Sequence, residues 1–93
     1  MSTFTPLSGE THYTYSMGAT ALTLSLPLHA GRIMMQALTQ NIRYTLDGTT
    51  PNATTGFQLK AGDPPREIEI TSGMTLKFFR EAAGAVLEYE YGN

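Results

Sequence analysis

Apolar and polar positions alternate with a period of two in four separate stretches of the chain. In residues 21–28, Leu22, Leu24, Leu26 and Leu28 fall on one face and Thr23, Ser25 and Pro27 on the other. Residues 42–46 set Ile42, Tyr44 and Leu46 against Arg43 and Thr45. Residues 66–70 set Ile68 and Ile70 against Glu67 and Glu69, and residues 87–91 set Leu87, Tyr89 and Tyr91 against Glu88 and Glu90. Successive side chains of a strand point to opposite faces, so this repeat predicts strands with one buried face rather than helices. Glycines at 9, 18, 31, 48, 56, 62, 73, 84 and 92 separate short runs rich in Thr, Tyr, Ile and Leu. Short strands bounded by turn residues predict an all-β chain, a small antiparallel β-sandwich or jelly-roll-like barrel.

Two segments depart from that pattern. Residues 1–11 contain Pro6, Ser8 and Gly9 and read as an irregular N-terminal arm, with Phe4 and Leu7 available to dock it; residues 12–93 then form a single domain. Residues 78–87 have helix-forming Ala and Glu, but Gly84 interrupts them. A hairpin is the better expectation, with a strand ending near Arg80, a turn through 81–85 and a last strand from Val86 to Tyr91. Pro27, which cannot donate to a ladder, marks an edge position or a strand end.

At 93 residues the chain leaves little room for a deep cleft beside its core. It has no cysteine, which excludes a disulfide framework and thiolate chemistry. A net charge of −2 gives no basic footprint for nucleic acid. The charges are unevenly placed: between Glu10 and Arg32 there is no Asp, Glu, Lys or Arg. Polar residues and Pro27 interrupt that run, so it is not a membrane span. It is either a pair of buried strands or a surface covered by another subunit. The first ten residues lack the basic and apolar regions of a signal peptide, which predicts a soluble protein made without one.

No convergent set of titratable groups emerges. His12 and His29 lie in uncharged surroundings without a second ligand at i+2 or i+4, which predicts no metal site and no cofactor. Glu67/Glu69 and Glu88/Glu90, at i and i+2 on strands, belong on a solvated face. There is no nucleophile elbow, no phosphate-binding loop and no basic cluster. The glycosylation-type triplet Asn52-Ala53-Thr54 carries no weight without a secretion signal. The chain is expected not to be an enzyme.

The strongest local feature is residues 41–63, NIRYTLDGTTPNATTGFQLKAGD. A β-rich run enters Asp47-Gly48, a dipeptide that tolerates positive φ, and Pro51 then leads the chain away from the ladder. This loop is a candidate contact surface. With the L-K-F-F, A-A-G-A-V-L and E-Y-E-Y segments that follow, it resembles a pattern in small virion proteins of tailed bacteriophages. Tyr44, Asp47, Gly48, Thr49, Pro51, Gly56, Leu59, Gly62 and Tyr91 carry the resemblance, which covers residues 40–92. The Y-T-L-D-G-T-T-P core is also similar to the immunoglobulin-like modules of chitobiase-type glycosidases.

The phage resemblance implies a virion structural role: a decoration or cement protein on the capsid surface, synthesised in the host cytoplasm. Its partners would be the major capsid protein and further copies of itself, with a homotrimer suiting a local three-fold axis. No nucleic-acid or membrane partner is implied. Met34/Met35 and Phe78/Phe79 are consecutive apolar residues, so one of each pair must face outward on a strand. Phe4, Leu7, Met34 or Met35, and Phe79 are therefore the candidate interface residues, and together they would form an apolar patch. The alternatives are a carbohydrate- or receptor-binding module, using Tyr13 and Tyr15 or Tyr89 and Tyr91 as a platform, and a head–tail connector component.

Overall fold

The structure, a computed structural model, describes residues 4–7, 9, 11–71 and 73–93. These form eight strands and no helix: β1 (Tyr13–Ser16), β2 (Leu22–Thr23), β3 (Arg32–Leu38), β4 (Ile42–Thr45), β5 (Phe57–Leu59), β6 (Arg66–Glu69), β7 (Lys77–Arg80) and β8 (Val86–Gly92). They make two four-stranded antiparallel sheets, one in the order β1-β8-β3-β6 and one in the order β2-β7-β4-β5. The chain is an all-β sandwich. First pairs with last, second with seventh, third with sixth and fourth with fifth. That nesting is one long antiparallel hairpin wound around a barrel, the strand order of a jelly roll.

The period-two pattern places the core. In β3, Ile33, Met35 and Ala37 are buried, while Arg32, Met34, Gln36 and Leu38 face outward. Leu87 and Tyr91 of β8 join them. The opposite sheet contributes Ile42, Tyr44, Leu59 and Phe78, and Leu76 just before β7 adds to them. Phe78 and Leu76 are fully buried and Phe79 turns outward, as strand alternation requires.

Two expectations are corrected. β7 ends at Arg80 and β8 begins at Val86, as expected, but the two are not a hairpin, because they belong to different sheets. Residues 81–85 carry the chain across the sandwich instead. Among the described strands only β4 and β5 are both consecutive and paired. In residues 21–28 the shared leucine face holds for Leu22, Leu24 and Leu26. It fails at Leu28, which is 82% exposed because the Pro27–Ala30 turn ends the extended run.

Residues 4–7 of the arm are docked; residues 1–3, 8 and 10 lie outside the described residues. Thr5 and Asn93 exchange main-chain hydrogen bonds of 2.8 and 3.1 Å, and Leu7 N donates to Tyr91 O at 3.0 Å. Residues 4–7 thus extend the β1 side of β8, and Leu7 packs against the core.

The two flanks of the sandwich differ. On the β5–β6 side, Arg66 reaches across from one sheet, and its guanidinium donates to the Tyr44 hydroxyl of the other at 3.0 Å. On the β1–β2 side the sheets stand apart, and a groove opens between them.

Candidate functional site

That groove holds about 540 Å³, and its walls include Tyr13, Tyr15, Leu22, Leu26, Tyr89 and Tyr91. Both tyrosine pairs therefore meet in one place, because β1 lies beside β8 in register Tyr13–Tyr89. Tyr13 stacks on Tyr89 with centroids 5.0 Å apart, and Tyr91 meets both edge-on at 6.2 and 5.8 Å. Tyr15 is the exposed member, at 40%.

The uncharged run builds this flank, and it is only partly buried. Met17 and Leu24 enter the core, but Thr14, Tyr15, Ser16, Thr23, Ser25 and Leu28 are exposed. Burial inside the chain does not account for the missing charge.

The β4–β5 loop forms a second surface, held rigid from within. Gly48 has φ +87°, and Thr49 N donates to Asp47 Oδ1 at 3.0 Å. The Thr45 hydroxyl donates to the Thr49 carbonyl, and Asn52 and Thr55 exchange main-chain bonds of 3.3 Å. Pro51 is fully buried beneath the loop. Gly48 N and Thr75 N tie it to the segment before β7. Phe57 stands at the end of the loop, 61% exposed and tilted against Tyr44 with centroids 5.6 Å apart. A hollow of about 400 Å³ lies beside it, between Asp47, Thr55 and Phe57.

The candidate interface residues do not share a surface. Met35 is 1% exposed in the core and cannot meet a partner, so Met34 is the outward member of the pair. Met34 lies on the outer face of the β1-β8-β3-β6 sheet and Phe79 on the outer face of the other, on opposite sides of the sandwich. Phe4 packs its ring over Gly92, and Leu7 lies against the core. The single apolar patch expected from these residues does not form. Phe57 was not singled out by its sequence, because a strand of three residues at a sheet edge has the same local pattern as a buried one.

Four glutamates and His12 gather on one outer face. Glu67 and Glu69 of β6 and Glu88 and Glu90 of β8 all project from the β1-β8-β3-β6 sheet, with Arg32 bonded to Glu67. His12 bonds through Nε2 to the Glu88 carboxylate, lies 3.6 Å from Glu90 through Nδ1, and is itself half-exposed. The Thr14 hydroxyl donates to Glu88 at 2.7 Å. The Glu88 hydrogen bond raises the His12 pKa, and the same bond with that of Thr14 lowers the Glu88 carboxyl. The two imidazole nitrogens engage different carboxylates, so these groups do not converge on one point. No group of three or more His, Asp or Glu side chains among the described residues is placed to hold a metal ion. On the other sheet, Glu81 accepts from Arg43 at 2.6 Å and Gln58 at 2.7 Å; the Gln58 bond is the larger cause of its lowered pKa. His29 sits on an exposed turn with φ +74°.

No protein family, curated protein or solved structure matches the chain.

Proposed function

We propose that the chain is a virion structural protein, a capsid decoration or cement protein that binds the major capsid protein on the shell surface and acts through many identical contacts. The observation that carries this is the β4–β5 loop with Phe57: a rigid, preformed projection that ends in an exposed aromatic ring. Rigidity lowers the ordering cost of binding, and aromatic anchors dominate interface energetics. Asp47, Gly48, Thr49, Pro51 and Gly56 of the loop, with Tyr44 of the strand that enters it, are among the residues that carry the resemblance to phage virion proteins. Jelly rolls occur in viral capsid proteins and equally in lectins, so the fold is compatible with the role without selecting it.

The test is co-sedimentation with capsids. Phe57→Glu and Phe79→Glu place a carboxylate on one exposed and one half-buried aromatic site. Loss of attachment with an unchanged circular dichroism spectrum is expected for Phe57→Glu at least, and undiminished attachment of both variants removes the proposal. A copy number in the particle close to that of the major capsid protein separates decoration from a connector role.

One observation favours a second reading, carbohydrate or receptor binding: the tyrosine-lined groove. The stacked Tyr13 and Tyr89 rings cover each other's faces, which leaves Tyr15 as the exposed platform. Glycan binding by the isolated chain, abolished by Tyr15→Ala, would support it.

A further inference from the structure

Sheet edges invite further strands, and proteins guard them with charge, proline or brevity. Three of the four edges here are guarded. β6 carries Arg66, Glu67 and Glu69 and follows Pro64 and Pro65; β2 has two residues; β5 has three and runs into Lys60. β1 has no such device. Its four residues, Tyr13–Ser16, include no charge and no proline, three of them are exposed, and no described strand lies beyond it.

The main chain of β1 is aimed at a partner. Met17 N donates to Ala85 O at 2.9 Å, which makes Met17–Ala85 a hydrogen-bonded pair. By antiparallel alternation, Tyr15–Leu87 and Tyr13–Tyr89 are hydrogen-bonded too, while Thr14–Glu88 and Ser16–Val86 are not. The N–H and C=O groups of Thr14 and Ser16 therefore point away from β8, along the open edge.

We propose that a second copy of this chain covers that edge, β1 against β1, antiparallel about a two-fold axis at Tyr15. Thr14 of each copy then pairs with Ser16 of the other, which makes four main-chain hydrogen bonds and joins two four-stranded sheets into one of eight. The two Tyr15 residues form the close, non-hydrogen-bonded pair on the axis, and their rings extend the tyrosine cluster across it.

Charge agrees with this occupant. His12 falls opposite Gly18, and the two Glu88 side chains are three strand spacings apart, about 14 Å, which exceeds the screening length of roughly 8 Å at physiological salt. Thr14, Tyr15, Ser16, Gly18, Ala19 and Thr20 are exposed and uncharged, so covering this edge desolvates no charge of β1 or of the residues that follow it. The contact does not depend on the capsid role.

Light scattering on the full chain is expected to give twice the 10.1 kDa chain mass. Tyr15→Lys and Tyr15→Glu each set like charges across the axis and should yield monomers, and mixing the two variants should restore a dimer. Ser16→Pro removes an outward N–H without touching the β8 ladder and should also dissociate it. The chain has no native cysteine, so Tyr15→Cys reports the axis directly: mild oxidation should produce a disulfide dimer far faster than for Leu28→Cys. A monomer at every concentration, a trimer, a dimer indifferent to these substitutions, or no preferential Tyr15→Cys cross-link would each overturn the proposal.

Discussion

Gly92 shows how one missing side chain holds a terminus in place. A Cβ there would meet Thr5 O at 2.5 Å and the Phe4 ring at 2.6 Å, so the arm docks only because this position is glycine. Gly92→Ala is expected to release residues 4–7 and to cost about 1–3 kcal/mol, the usual penalty for overpacking. Denaturant unfolding measures this, and the substitution should cost almost nothing in a chain already lacking residues 1–7. His12 makes a prediction of a different kind. Its raised pKa stabilises the fold fully below 6.5 and fades as pH rises through the folded value. The lowered Glu88 pKa stabilises fully above 4.5 and fades as pH falls through its folded value. The His12–Glu88 contact is thus strongest between pH 4.5 and 6.5. The melting-temperature gap between the natural chain and His12→Ala should peak there and narrow on both sides; a flat gap would remove the contact as a source of stability.

Among the elements, the β4–β5 loop is the one whose local chemistry and proposed contact role coincide. Gly56 has φ +116°, and a Cβ would lie 2.9 Å from Tyr44 O. Gly62 has φ +91° but open space around it. Gly56→Ala is expected to cost about 2 kcal/mol or more through strain and clash together. Gly62→Ala carries the backbone strain alone, about 1 kcal/mol. Equal losses in thermal unfolding would show that the loop yields rather than resists. Much of this element was legible beforehand: Asp47-Gly48 and Pro51 announce the turn, and Ile42, Tyr44 and Leu46 announce the strand entering it. The exposure of Phe57 was not legible, because it depends on β5 being a sheet edge. The segment from Arg80 to Val86 was half legible. Its strand ends were evident from alternation and Gly84, but a five-residue connection suits a hairpin or a crossing between sheets equally well.

For the whole molecule, the contrast between its two flanks matters most. Arg66 and Tyr44 bridge one flank, while the other, built from the uncharged run, leaves a groove and a bare strand edge. A dimer closed at β1 makes the melting temperature rise with protein concentration, whereas a monomer melts at a fixed temperature. Period-two alternation and turn residues alone account for the all-β class, for most of the strand positions and for which side chains face inward, because both act between near neighbours in the chain. They also located the missing charge in residues 11–31. They could not say whether that stretch was buried, whether the tyrosine pairs met, or that Met34 and Phe79 lie on opposite sides. Those facts follow from which strands pair across the length of the chain, and pairing is settled by the burial of two sheets against each other rather than by any local preference.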